Sequence, residues 1–157
     1  MQGKQMGDNT TLQGRAVYIV DGARTPFLKA IAGPGPFSAS DMAVSCGKSL
    51  LSRQPFKPEQ LDEVIIGCMV PSEDEANIAR LIALRLGCGD KVPGWTVQRN
   101  CASGMQALDS AIKDIAIGRH DLILAGGTET MSRAPLIFPP GMAKWLVAWQ
   151  KAMKKGG

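Results

Sequence analysis

"RNCASGMQALDSA", residues 99–111, sets a cysteine between an asparagine and a run of small residues, where a strand-like segment turns into a helix. Upstream, "VPGWTVQ" is short and extended in character. Downstream, Met105, Leu108, Ile112 and Ile115 recur at helical spacing, while Ala102, Ala107 and Ala111 add helix propensity. Gly118 closes that helix and "DLILAGG" follows as another strand. A strand feeding a helix that returns to a strand is the unit of a parallel sheet covered by helices, so this stretch decides the fold class.

The same alternation extends toward the N-terminus. "AVYIV", residues 16–20, predicts a first buried strand, broken by Gly22 and Pro26. Ser40 or Asp41 is the expected cap of a helix running to about Ser52, with Met42, Val44, Cys46 and Leu50 available for packing. "EVIIGCMV" predicts a second strand, ended by Pro71, which cannot donate to a ladder. "ANIARLIALRLGCG" predicts a helix through Ile78, Leu81, Ile82 and Leu86, with Gly87 at its C-cap. The order is βαβαβαβ: an α/β fold with a mixed, mostly parallel sheet, right-handed crossovers and helices on both faces. Ligands of such sheets gather at the C-terminal ends of the strands, and Cys101 stands at one.

Composition excludes several classes. Of the 157 residues, 45% are hydrophobic and 20% charged, the balance of an ordinary globular domain. The net charge of +4 comes from Lys144, Lys151, Lys154 and Lys155, which no acid accompanies; without them 14 basic residues face 14 acidic ones. The basic balance therefore describes the C-terminal end and is no nucleic-acid footprint. No apolar run reaches the roughly 18 residues of a membrane span, and residues 1–14 lack the apolar stretch of a secretory signal, so a cytoplasmic protein with a polar, flexible leader over 1–14 is expected. Cys46, Cys68, Cys88 and Cys101 show no C-x-x-C spacing and only His120 could assist them, so no metal site is expected. "AGGTETMS" lacks the spacing of a phosphate loop and reads as a strand end with a tight turn.

Two readings stand for Cys101. At a helix N-terminus, free backbone N–H groups and the macrodipole favour an anion by up to about 2 kcal/mol, which suits a nucleophilic thiol. The same N–H groups could receive the oxyanion of a thioester under attack, and small Ala102, Ser103 and Gly104 allow close approach of a substrate. Alternatively, Cys101 is one more small buried thiol, since free cysteine often behaves as a compact hydrophobe. Turnover also needs an acid and a base that the helix cannot supply.

Four pieces in order, "VYIVDGARTPF", "PSEDEANIARLIAL", "VQRNCASGMQALDSA" and "LAGGTETMSRAP", resemble the thiolases, the family of 3-ketoacyl-CoA thiolases and acetyl-CoA acetyltransferases. The resemblance implies that Cys101 is the acyl-carrying, catalytic cysteine, that coenzyme A and acyl-CoA are substrates rather than resident cofactors, and that the chain associates with copies of itself or with a companion chain. It makes "GWTVQRN" the interface candidate. It divides the chain into the leader, an N-terminal domain over 15–133, and over 134–157 the opening of an inserted loop domain within which the sequence stops. Thiolases also carry a G-H-P motif, whose histidine activates the nucleophile, and a C-x-G-G-G motif, whose cysteine serves as acid and base; neither occurs in these residues. His120 is expected on the surface, about 19 residues and nearly 30 Å along a helix from Cys101, and Cys46, Cys68 and Cys88 as buried structural thiols.

The expectation is thus the nucleophile-bearing part of an acyltransferase, incomplete alone. The rival is a noncatalytic remnant of the fold, or an assembly partner of an intact enzyme. The helix at "MAKWLVAWQKAMKKGG", with Trp145, Trp149, Ala152 and Met153 on one face, has three readings: a contact for CoA phosphates, a binder of anionic membrane surfaces, or an amphipathic lid without its partner.

Overall fold

The structure, a computed structural model, describes residues 14–155; residues 1–13 of the expected leader lie outside the described residues. Its centre is β1 (Glu63–Gly67), in which all five residues are buried. The β-branched triplet Val64, Ile65, Ile66 suits a strand covered on both faces. β2 (Gly94–Val97) and β3 (Ile123–Gly127) pair with it on either side, both parallel, so that Ile65 stands between Trp95 and Ala125. The order is β2-β1-β3.

Side-chain alternation along β1 sends the two layers apart. Val64 and Ile66 pack with α1 (Ala39–Leu51) and α2 (Ile78–Arg85), through Val44, Leu51, Ile78 and Ile82. Ile65 packs on the other face against Ala107 and Ala111 of α3 (Ser103–Ala116). A parallel α/β sheet with helices on both faces is therefore present. A fourth helix, α4 (Pro140–Lys155), carries stacked Trp145 and Trp149, ring centroids 6.4 Å apart, and every side chain described on it is exposed.

Four local expectations are corrected. Residues 16–20 form no strand: no neighbouring strand lies within pairing reach, and Tyr18, Ile19 and Val20 are 78%, 74% and 75% exposed. The sheet thus has three strands among the described residues. The cap of α1 is Ser38, not Ser40 or Asp41; its hydroxyl accepts from Asp41 N–H while the Asp41 carboxylate accepts from Ser38 N–H, a reciprocal capping box. β1 ends at Gly67, before Pro71, because the Glu129 carboxylate takes the Met69 and Val70 N–H groups in place of a ladder. Finally, α3 lays an alanine line on the sheet; Met105 is exposed, and Leu108, Ile112 and Ile115 are only half-buried.

Candidate functional site around Cys101

The C-terminal ends of β1 and β3 meet the N-terminus of α3 at a contact too close for side chains. A Cβ on Gly67 would fall 2.2 Å from the Ser103 carbonyl carbon, and one on Gly127 would fall 2.8 Å from the Gly104 Cα. Glycine at 67 and 127 is what lets the helix end sit directly on the strand ends.

The turn that delivers Cys101 is built locally. Asn100 occupies the left-handed region at φ 50°, where asparagine is among the few tolerated side chains. Buried Ser103 locks it: the hydroxyl donates to the Asn100 carbonyl at 2.6 Å and accepts from the Arg99 N–H at 2.8 Å. Ala102 is the N-cap of α3 and supplies no side-chain cap. Cys101, immediately before it, is the exposed one of the four free cysteines.

Cys101 opens into a cavity of about 450 Å³, floored by Gly67, Gly104 and Gly127 and walled by Cys68, Met69 and Thr128–Ser132. Residues 25–31 form the other side, held by Ile31 N–H donating to Ser132 Oγ at 2.9 Å and by Arg133 donating to the Gly35 carbonyl at 3.0 Å. Thr128 ties the wall to α1 through a 2.7 Å bond to the Ala39 carbonyl.

The other thiols differ. Burial, and next the neighbouring Glu129 carboxylate, push the Cys68 thiol up to about 12, so it stays protonated and inert near neutrality. Burial likewise raises Cys88. Cys46 is half-buried rather than fully buried. His120 is remote from Cys101, beyond the far end of α3, yet it is no surface residue: its side chain is 17% exposed and its Nε2 faces Glu63 Oε2 at 3.8 Å, neither atom having a hydrogen-bond partner. Among the described residues, no group of three His, Cys, Asp or Glu side chains is placed to hold a metal ion.

Glu129 carries no local signal of its role in the sequence. Its partners Met69 and Val70 lie 60 and 59 positions away, and "TETMS" reads locally as a turn. The roof over residues 25–31 was equally hidden, because a loop following a broken strand carries no periodic signal.

The profile of the thiolase N-terminal domain matches residues 17–155. The chain belongs to the thiolase family. It is 44% identical over 125 residues to the β-ketoadipyl-CoA thiolase of Pseudomonas knackmussii, a match covering 78% of this chain and 31% of that protein. The fold superposes on the acetyl-CoA acetyltransferase of Bacillus anthracis with a TM-score of 0.63 and 38% identity, covering 70% of this chain and 29% of that one. Human mitochondrial 3-ketoacyl-CoA thiolase, solved in complex with CoA, matches at a TM-score of 0.61 and 36% identity, over 65% of this thiolase chain and 26% of the human one. The chain thus spans about a third of the length of the curated thiolases it matches. Among its described residues no helix is long and apolar enough to cross a membrane.

Proposed function

We propose that this thiolase N-terminal domain carries the acyl-accepting half of an acyl-CoA acyltransferase site, with Cys101 as nucleophile. The observation that carries the reading is that, of four free cysteines, the exposed one stands immediately before the N-cap of α3 and opens into the cavity at the strand ends. The Cys101 sulfur attacks the 3-keto carbon of a 3-ketoacyl-CoA; the bond between C2 and C3 breaks, and the departing carbanion takes a proton to leave as acetyl-CoA. The acyl group, now a thioester on Cys101, passes to the thiol of a second CoA, which restores the cysteine.

Of the described carboxylates lining the cavity, Glu129 is engaged by the Met69 and Val70 N–H groups. Cys68 is held protonated and His120 lies at the opposite end of the sheet. A companion polypeptide supplying an acid and a base completes the site in this reading, and association of copies through the outer edge of β2, where Trp95 is 36% exposed, fits the same assembly. A cytoplasmic location accords with free thiols.

Incubation with acetyl-CoA followed by peptide mass spectrometry tests the first half-step. An acetyl thioester on the Cys101 peptide, lost on hydroxylamine treatment and absent from Cys101→Ser, is expected. Acetylation spread evenly over all four cysteines, or none at all even with a companion half present, favours the noncatalytic remnant.

A further inference from the structure

Helix α4, Pro140–Lys155, takes no part in the cavity at Cys101, and its two sides differ in kind. At about 3.6 residues per turn, Met142, Trp145, Leu146, Trp149 and Met153 fall within roughly 100° of arc. Lys144, Lys151 and Lys154 fall within roughly 80° on the opposite side, where Val147 is the one large apolar residue among them. All of these side chains are exposed. No Asp or Glu occurs along the helix, and the segment leading into it adds three exposed apolar side chains, Leu136, Ile137 and Phe138.

A surface helix that packs one side on protein and turns the other to water usually carries both signs of charge, because Glu and Lys one turn apart stabilise each other. Here Lys151 and Lys154 are one turn apart with like charge, and the helix holds no acid to offset them. A layer of anionic headgroups supplies the missing charge along the whole length. Outside Lys144, Lys151, Lys154 and Lys155 the chain balances 14 basic against 14 acidic residues, so attraction to an anionic surface belongs to this helix and not to the protein's overall charge. The apolar side fits the same setting. Trp145 and Trp149 are stacked with ring centroids 6.4 Å apart, and an indole, apolar in its body with one N–H to satisfy, suits the headgroup boundary. A helix with its side chains is about 10 to 12 Å across, so lysines on the far side of one half sunk in that boundary stay within about one Debye length of the headgroup charges.

We propose that α4 is an in-plane anchor for an anionic phospholipid bilayer. Met142, Trp145, Leu146, Trp149 and Met153 sink at the headgroup boundary, and Lys144, Lys151 and Lys154 draw the helix to it. The anchor is peripheral: the 16 residues of α4 lie along the surface, and none of the described helices is long and apolar enough to cross. Binding is accordingly reversible and weakened by salt. It stands apart from the acyl-transfer reading, since no residue of α4 lines the cavity of Cys101.

The test floats the full 157-residue chain with vesicles of phosphatidylcholine, either alone or with about 30 mol% phosphatidylglycerol. Recovery with the anionic vesicles should be at least about tenfold greater, and should fall in about 0.5 M salt. Hydrogen exchange on the bound chain should show new protection confined to α4 and the residues leading into it. Lys144→Glu with Lys151→Glu should abolish flotation, and Lys144→Arg with Lys151→Arg should retain it. Trp145→Ser with Trp149→Ser should weaken it at least about tenfold. These positions are exposed, so circular dichroism should be unchanged. Should a variant not fold, the lipid comparison and the exchange map on the unaltered chain still decide. Equal recovery with neutral and anionic vesicles, no recovery, or protection confined elsewhere would each overturn the anchor. So would protection of α4 in vesicle-free solution by free CoA, by a second copy, or by a companion half that abolishes flotation. The first assigns the lysines to the phosphates of CoA, and the other two assign the apolar side to a protein contact.

Discussion

Cys101 owes its position to the residue on each side of its turn. Ser103 is the keystone, because its one hydroxyl both donates and accepts within the five residues from Arg99. Ser103→Ala should cost about 1 to 2 kcal/mol in urea unfolding, as the Arg99 N–H loses its acceptor and Asn100 is no longer held. Asn100→Val should cost a similar amount, about 1 to 2 kcal/mol, since a β-branched side chain resists the left-handed region. The cysteines give a second residue-scale expectation. Cys68, raised from its ordinary 9.0 to about 12, contributes stability fully present below pH 9 that is lost as pH rises through about 12. Melting temperature should therefore fall on that alkaline limb, and less so in Cys68→Ala. At pH 7, iodoacetamide should label Cys101 ahead of Cys46, with Cys68 and Cys88 labelled only after urea, as peptide mass spectrometry would read.

Among the elements, α1 shows how a short polar signal outweighs periodicity. Ser38 and Asp41 close a reciprocal cap, and Arg85 of α2 bonds Asp41 at 2.7 Å. The Asp41 carboxyl is held below its usual range by the Ser38 N–H first and Arg85 second, and Asp62 is lowered by the Asp121 and Leu122 N–H groups that it anchors at the start of β3. Both contribute stability present above ordinary carboxyl values near pH 4 and lost as pH falls through their lower folded values. Acid unfolding should shift to higher pH in Asp62→Ala, followed by circular dichroism. Ser38→Ala should cost about 1 kcal/mol. Ser38 does not stand out in the sequence as the cap, because Ser40 and Asp41 offer the same chemistry two and three residues on. Ser40 instead receives Arg85 at 2.7 Å on its hydroxyl and gives its N–H to Glu75.

At the scale of the molecule, the parallel sheet, its helices and the position of Cys101 were legible in the sequence because periodicity and Gly and Pro punctuation are local. What was not legible is long-range. Residues 16–20 have the composition of a buried strand, but a strand needs a neighbour, and composition says nothing of whether one is in reach. Glu129 holding Met69 and Val70 and the roof at residues 25–31 depend on contacts that only the folded chain brings together. Cys101 was legible as a candidate nucleophile; the chamber it opens into was not.

The exposed α4 also equips the molecule with a gauge of its own assembly. Two of its three tryptophans, Trp145 and Trp149, lie stacked and wet on that helix, 60% and 53% exposed, while the third, Trp95, is on the outer strand β2. Indole emission shifts to the blue when water leaves the ring, so burial of either surface writes itself into the intrinsic spectrum without a label. Trp95→Phe isolates the helix signal. Titration of a companion half should then move the emission maximum to shorter wavelength if α4 is covered, and leave it unmoved if docking involves the sheet edge alone.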